Sequence, residues 1–268
     1  MTAAPGRPGV PDEGAAAGAV GIGAHVRGDD PLAEARALGA ACLQMFLGDP
    51  QSWRRPPPRA DADALRGSPL PVYVHAPYLV NVASPNNRIR LPSRKIVAQT
   101  LEGAAAIGAA GVIVHAGHAE DGFARGLVRW RKALEELEQP VPLLIENTAG
   151  GAHAMASSTA TVSELWAALD GLPAAFCFDT CHAHAAGEDP VEMAGRLRER
   201  TAGIVLVHAN GSRDAAGSGR DRHANLAGSV LPADLVVEAI RAAGAAVVIC
   251  ETPPEGLAAD LAFLRARL

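Results

Sequence analysis

The feature that most constrains the fold is a short aliphatic run that recurs along the chain and is followed each time by a polar residue and a turn. Six such runs lie within 71–77, 111–118, 142–151, 175–183, 203–211 and 246–254. Four or five apolar residues without alternation are typical of strands buried on both faces, as in a parallel sheet. Two earlier strands are predicted at 19–26 and 41–46. The chain therefore has eight predicted strands.

Segments with helical spacing separate these strands. They cover 31–40, 93–109, 124–138, 160–170, 189–200, 232–243 and 257–267. Alternating β and α units in 268 residues predict an α/β protein with a single (β/α)8 barrel, whose active site lies at the C-terminal ends of the strands. We expect residues 1–17 to form a flexible tail and residues 18–268 to form the barrel domain.

Composition limits the class of protein further. Hydrophobic residues make up 49% of the chain and aromatic residues only 4%, so the core is expected to be large and aliphatic. No apolar run reaches the roughly 18 residues of a membrane span, and the N-terminus lacks the features of a secretory signal. We expect a cytoplasmic monomer, associated with the nucleoid if the source is bacterial. The cysteines in apolar runs are expected to be reduced and buried, namely Cys42, Cys177, Cys181 and Cys250.

Polar residues with metal-binding side chains end six consecutive predicted strands. They are His75, His115, Glu146, Asp179, His208 and Glu251. A single residue of this kind is usually a hydrogen-bonded polar residue or a helix cap. A ring of them around one barrel mouth would be unfavourable to desolvate unless cations filled it. The pattern therefore predicts a metal site.

The loops add three further candidates, His182, Asp221 and His223. Asp221 and His223 are two positions apart, so their side chains point the same way in an extended segment. Nine nitrogen and oxygen ligands without sulfur are too many for one tetrahedral zinc ion. With a bridging carboxylate and water molecules they suit three zinc ions.

Several of these segments resemble the signature segments of the endonuclease IV family, which belongs to the xylose isomerase-like barrels. The segments are 74–85, 114–118, 145–151, 178–189, 217–229 and 250–253. The resemblance extends from about residue 20 to the C-terminus. It implies a zinc-dependent endonuclease of base excision repair that acts on duplex DNA. Such an enzyme hydrolyses the phosphodiester 5′ to an abasic site and leaves a 3′-hydroxyl.

The resemblance also implies how three zinc ions are held. The first has the ligands His75, His115 and Glu146. Glu146 bridges to the second, which is completed by Asp179, His208 and Glu251. The third has the ligands His182, Asp221 and His223. Glu146 and Glu251 are the candidate catalytic residues, and Glu251 either orients the attacking water or serves only as a ligand.

Contacts with DNA are expected from the loops at the barrel mouth. Tyr78 matches a family position that enters the duplex beside the lesion, although a half-buried aromatic on the rim is the simpler interpretation. Further candidates for phosphate contacts are Arg88, Arg90, Arg94, Lys95, Arg220 and Arg222. His25 ends the first strand and is expected to support a ligand rather than to bind metal.

A formal net charge of −5 is unusual for a protein that binds DNA. Three Zn²⁺ ions would add +6, so the whole chain would have −5 + 6 = +1, with the positive charge focused in one cleft. Two positions depart from the family pattern. Gln51 stands where the best-studied branch has arginine, and Gly211 stands where aspartate is usual. We expect these departures to alter the grip on DNA rather than the chemistry.

Two other functions are compatible with parts of the pattern. Sugar isomerases share this barrel type but use two metal ions held mostly by carboxylates, whereas this chain has five candidate histidine ligands. A non-catalytic protein that binds damaged DNA would need no complete ligand set. Metal stoichiometry separates the first alternative from the nuclease, and binding without cleavage would support the second.

Overall fold

The computed structural model describes residues 20–268, so the predicted tail at 1–17 lies outside the described residues. Eight parallel strands close into a barrel, in which each strand pairs with its neighbours in chain order and the last pairs with the first. The barrel strands are β1 (Gly21–His25), β2 (Leu43–Met45), β3 (Val72–His75), β4 (Gly111–His115), β5 (Leu143–Glu146), β6 (Ala175–Asp179), β7 (Leu206–His208) and β10 (Val247–Cys250). This architecture confirms the predicted single (β/α)8 barrel.

Helices surround the barrel and connect its strands. They are α1 (Pro31–Ala37), α2 (Ala62–Arg66), α3 (Asn87–Ala106), α4 (Phe123–Glu136), α5 (Thr159–Ala168), α6 (Thr180–Ala186), α7 (Pro190–Arg200), α8 (Ala233–Ala243) and α9 (Pro254–Arg265). All seven predicted helical segments are present. The short helices α2 and α6 were not predicted, and neither was the antiparallel hairpin of β8 (Gly211–Ser212) and β9 (His223–Ala224).

The largest error in the predicted boundaries concerns α3, which begins at Asn87 rather than at residue 93. Asn86 caps the helix, because its side chain accepts a hydrogen bond from the Arg88 backbone N–H at 2.9 Å. Pro92 lies inside the first two turns of this helix. Arg88 and Arg90 therefore belong to the helix and not to a loop.

Alternation along the strands divides the barrel interior into layers. One layer of side chains comprises Cys42, Tyr73, Ile113, Leu144, Cys177, Leu206 and Ile249, which form a buried cluster separate from the larger core beneath the helices. Each of these residues lies two positions before a polar residue within one position of the strand end. Since side chains two apart share a face of a strand, the next layer towards the C-terminal ends is polar.

The predicted state of the cysteines is confirmed, because Cys42, Cys177, Cys181 and Cys250 are all buried free thiols. Within residues 20–268, no helix is both long and apolar enough to cross a membrane.

Candidate metal centre

Eight inward-facing side chains, one from each barrel strand, meet at the C-terminal end of the barrel. In strand order they are His25, Gln44, His75, His115, Glu146, Asp179, His208 and Glu251. The register aligns neighbouring members of this ring, since His25 pairs with Gln44, His115 with Glu146, and Asp179 with His208. Six of the eight are the strand-end residues that the sequence singled out. Gln44 was missed, although its position two residues after Cys42 carried the same signal.

Glu146 lies at the centre of this ring and is fully buried. Its Oε2 is 3.2 Å from His75 Nε2 and 3.3 Å from His115 Nε2. Its Oε1 is 2.8 Å from His208 Nδ1. Each carboxylate oxygen therefore faces a different group of histidines, which is the arrangement that a bridging ligand requires.

Hydrogen bonds on the far side of two imidazoles leave one nitrogen of each ring facing the centre. His75 Nδ1 is 2.7 Å from the Ala76 carbonyl, and His182 Nδ1 is 2.8 Å from the Asn147 carbonyl. A carbonyl oxygen only accepts, so both Nδ1 atoms donate, and Nε2 is the nitrogen that each ring can offer to a metal ion. Histidines that bind metals are commonly held by such a bond from the other ring nitrogen. This donor set therefore fits metal ions.

The third predicted ligand group is carried by a helix and a hairpin beyond the strand ends. Asp179 caps α6 by accepting from the His182 backbone N–H at 2.8 Å, and this places His182 in the first turn. Asp221 joins the group, since its Oδ2 is 3.1 Å from His182 Nε2 and its Oδ1 is 3.0 Å from His223 Nε2. His223 belongs to β9, so the predicted alignment of Asp221 and His223 agrees with the geometry.

The structure brings together the residues of the first two predicted groups, and it separates the third group less clearly from the second. One cluster contains His75, His115 and Glu146, and another contains Glu146, Asp179, His208 and Glu251. In the third region, Asp179 as well as Asp221 lies within reach of His223, whose Nε2 is 3.7 Å from Asp179 Oδ2. Asp179 therefore lies between the second and third groups.

The carboxylates of this region need positive charge beside them, and the histidines whose pKa the surrounding acidic groups raise, His182, His208 and His223, supply part of it. In the part of the chain that the structure describes, the four carboxylates of Glu146, Asp179, Asp221 and Glu251 form ion pairs only with histidines. Isolated buried carboxylates are very costly to desolvate. Metal ions would supply the missing charge.

The pKa values of these groups reflect two opposing effects, burial and the charges of neighbouring side chains. Burial by itself would raise the pKa of Glu146, but the charge of His208 and the hydrogen bonds from His208 and His75 outweigh burial and hold this pKa well below its ordinary range. Burial lowers the pKa of His115 to about 4, so this imidazole is neutral at pH 7 and its lone pair is available. Burial also raises the pKa of Asp179.

Two thiols lie beside the candidate ligands, although no thiolate ligand was expected. Cys177 Sγ is 3.7 Å from His208 Nδ1, and Cys181 lies within ligand distance of Asp221 and His223. Burial raises the pKa of Cys177 to about 12 and also raises the pKa of Cys181. Burial therefore favours the protonated thiol at both positions.

Two buried asparagines align the carboxylates and were not predicted as site residues. Asn210 donates to Asp179 Oδ2 at 2.7 Å and to Glu251 Oε2 at 3.2 Å, and its Oδ1 accepts from the Glu251 backbone N–H at 2.9 Å. Asn147 exchanges a pair of hydrogen bonds with the Asp179 backbone at 2.7 and 3.0 Å. Each asparagine is a polar residue that follows a buried strand, and this feature of the sequence could have identified both as site residues.

The mouth of the barrel is a cavity of about 730 Å³ above this ring. Its polar wall includes six of the predicted ligands, together with Tyr78, Arg27 and Arg213. Tyr78 is 50% exposed, and its ring stacks on His115 with centroids 6.2 Å apart. The ring of Tyr78 therefore packs on the rim of the barrel and also presents a free face to solvent, which is compatible with either interpretation of this residue.

The predicted basic contacts do not line this cavity. Arg94 pairs with Glu136 at the end of α4, and Arg90 donates to the backbone carbonyl of Ser84. Arg88 and Lys95 are exposed on α3. Arg222 pairs with Asp214 at 2.7 Å and Arg220 lies 3.6 Å from the same carboxylate, so both brace the loop before Asp221. Sequence reasoning missed Arg27 and Arg213 because each follows a strand end without any recognisable spacing.

Comparison with known proteins identifies the family. A profile described as Xylose isomerase-like TIM barrel matches residues 32–267. A Mycobacterium marinum protein named "Probable endonuclease 4" is 55% identical over 249 residues, which are 92% of this chain and 98% of the relative. The chain belongs to the endonuclease IV family. It is accordingly a nuclease of the hydrolase class.

Solved structures agree with this membership. Endonuclease IV from Thermus thermophilus superposes with a TM-score of 0.77 at 32% identity, covering 91% of this chain and 97% of that one. A D-tagatose 3-epimerase-like protein reaches a TM-score of 0.76 at 17% identity, covering 92% and 96% of the two chains. That second likeness shows the fold alone, so nothing favours the sugar isomerase alternative over the endonuclease IV family.

The departure from the endonuclease IV pattern at Gly211 has a local explanation. A Cβ at this position would lie 2.6 Å from Ser229 Oγ and 2.8 Å from the Ala224 carbonyl oxygen. Ser229 in turn accepts a hydrogen bond from the Ser212 backbone N–H at 2.8 Å. The close approach of these segments in the β8–β9 hairpin therefore requires glycine here. Gln51 lies exposed on the loop after β2.

Proposed function

We propose that the protein is a zinc-dependent endonuclease that cuts duplex DNA on the 5′ side of abasic sites and leaves a 3′-hydroxyl for base excision repair. The observation that carries the proposal is Glu146, whose two oxygens face separate histidine groups and which, among residues 20–268, pairs with no lysine or arginine although it is fully buried. Membership of the endonuclease IV family supports it, and so do the names of the closely similar relatives.

The nine predicted ligands would hold three zinc ions in the groups described above. Zinc bound there would supply Lewis-acid activation of water and of the phosphoryl oxygens. Nitrogen and oxygen donors with neutral imidazoles suit zinc. The four carboxylates would leave +6 − 4 = +2 at the centre before any anion binds. A net positive centre attracts a phosphodiester.

Glu251 is better suited to binding metal than to removing a proton. Its Oε1 accepts from Gln44 Nε2 at 2.5 Å, and its Oε2 accepts from Asn210 Nδ2 at 3.2 Å. Burial by itself would raise the pKa of Glu251, but the charges of His208 and His223 outweigh burial and hold this pKa well below its ordinary range. A carboxylate whose oxygens already accept hydrogen bonds is a weak base. These contacts favour the ligand role for Glu251.

Recognition of the lesion would rest on Tyr78 and on the arginines of the mouth. An abasic nucleotide lacks its stacked base, so moving it out of the duplex costs less than flipping an intact nucleotide. The exposed face of Tyr78 would fill the vacated stack, as aromatic wedges do in other DNA-binding proteins. Arg27 and Arg213 would contact phosphates on either side of the lesion.

The experiment that tests the proposal uses purified protein and a labelled duplex with one abasic site. We expect a single cut 5′ to that site, a product that a DNA polymerase extends, and no cut in a matched intact duplex. Prolonged dialysis against chelator should abolish the cut and added zinc should restore it. Binding without cleavage by fully zinc-loaded protein would instead support a non-catalytic lesion-binding protein. Elemental analysis should find about three zinc ions per chain, and one or two in fully active protein would contradict the trinuclear assignment.

A further inference from the structure

We infer that Gln44 is a positioning residue that selects which nitrogen of His208 binds metal and ties that imidazole to Glu251. Gln44 is the β2 member of the inward-facing ring and is fully buried. Its Nε2 lies 2.5 Å from Glu251 Oε1 and its Oε1 lies 2.8 Å from His208 Nε2. A single amide therefore contacts two predicted ligands of the same metal ion. This inference rests on the proposed function.

The chemistry of the neighbours fixes the orientation of the amide. Glu251 is an ionised carboxylate that can only accept, so the NH₂ group of Gln44 must face it. The carbonyl oxygen of Gln44 then faces His208 Nε2, which must donate. With Nε2 donating to Gln44, the other ring nitrogen of His208, Nδ1, faces the carboxylates, 2.8 Å from Glu146 Oε1 and 3.5 Å from Glu251 Oε2. Because a carboxylate oxygen can only accept, Nδ1 donates to Glu146 unless a metal ion displaces this proton. Gln44 thus presents Nδ1 of His208 to the second metal group.

His25 completes the arrangement on the other side of the amide. Its Nδ1 lies 2.8 Å from Gln44 Nε2, so it accepts the second amide hydrogen. Its Nε2 has no hydrogen-bond partner among residues 20–268 and is buried. His25 is therefore a support for Gln44 and Glu251, as its sequence position suggested, and is not a member of the ligand groups. A leucine or methionine at position 44 would leave donors and acceptors of all three neighbours unpaired.

The test combines ring-nitrogen NMR with zinc retention in the zinc-loaded full chain. In wild-type protein, long-range ¹H–¹⁵N correlation spectra should show His208 protonated at Nε2. Gln44→Met keeps the side-chain length but removes all three side-chain hydrogen bonds. Competition with a zinc chelator should show that one of about three zinc ions is held 10- to 100-fold more weakly in this variant, the usual effect of removing a group that orients a ligand.

Thr201→Val is the matched control, because Thr201 is a buried residue that follows α7 and bonds to none of the predicted ligands. Its hydroxyl donates to the Leu197 carbonyl at 2.8 Å. The Thr201→Val variant should be less stable than wild type, because it loses a buried hydrogen bond. Its zinc retention should equal that of wild type. Zinc affinity within twofold of wild type in Gln44→Met would overturn the inference. So would a wild-type spectrum in which His208 Nε2 carries no proton, and this measurement stands even if the variant fails to fold.

Failure of the proposed function would look different. Wild-type protein that retains three zinc ions but does not cut abasic DNA would refute the assigned reaction, while the His208 spectrum and the zinc competition would still decide the role of Gln44. A wild-type enzyme that cuts, beside a Gln44→Met variant with unchanged zinc affinity, would refute the role of Gln44 and leave the reaction intact.

Discussion

Replacing Glu146 by glutamine tests the bridging arrangement most directly. The variant keeps the shape of the side chain but has one oxygen where the carboxylate has two, so either the His75 and His115 pair or His208 must face an NH₂ group. Removing one partner of a buried ion pair costs about 3–5 kcal/mol. Since about 1.4 kcal/mol is a factor of ten in rate, we expect cleavage of abasic duplex to fall by about 10²- to 10⁴-fold.

The assay measures single-turnover cleavage and zinc content on the same preparation. Zinc should fall by at least one ion per chain, while circular dichroism should remain that of a folded barrel because the aliphatic core lies beneath the helices. Asp121→Asn is the matched control, since it makes the same chemical change at a carboxylate that pairs with Arg129. Its zinc content and rate should equal those of wild type. If Glu146→Gln kept more than about a tenth of the wild-type rate, Glu146 would not bridge two metal ions.

Three further predictions concern DNA binding and stability. Tyr78→Ala should weaken binding to abasic duplex by roughly 1–3 kcal/mol, the value of one aromatic–base stack, and equal losses on abasic and intact DNA would contradict the wedge. Arg27→Ala should lower affinity for both duplexes and reduce the slope of log K against log salt by about 1; an unchanged slope would exclude a phosphate contact. The hydrogen bond from Arg129 lowers the pKa of Asp121 to about 2, so its stabilising contribution is present above about pH 4 and is lost as pH falls towards 2. Between about pH 4 and pH 2, the melting temperature of Asp121→Asn should therefore fall less than that of the wild-type protein.

The barrel and its polar ring could be predicted because both depend on local sequence patterns. Buried strands appear as uninterrupted aliphatic runs, and the residue that ends each run on the inward face follows from a period of two. Glu146 and Asp179 are therefore recognisable from the sequence alone. The helix α6 was not predicted, because Asp179, the residue that caps its N-terminus, had been assigned only to the predicted metal site.

The arginines that line the barrel mouth were harder to predict, because the lining depends on which loops meet in space. Arg94 and Lys95 formed a conspicuous basic segment, yet Arg94 pairs with Glu136 on the neighbouring helix. Arg27 is a single charge in a loop, and only closure of the barrel brings it to the mouth with Tyr78 and Arg213. Charge clustering in sequence indicates solvent exposure of a helix face, whereas a binding surface requires convergence from several strands.

The buried amides show why a correct set of ligands is still an incomplete account of such a centre. Asn210 and Gln44 carry no charge and match no ligand pattern, yet together they hydrogen-bond both oxygens of Glu251. Each also reaches a second predicted ligand, Asp179 for Asn210 and His208 for Gln44. Without metal, these bonds hold carboxylates and imidazoles in place against their mutual repulsion, and with metal they limit the geometries that the ligands can adopt. The polarity of the entire inward-facing ring, rather than the metal-binding residue types alone, therefore determines how the centre is organised.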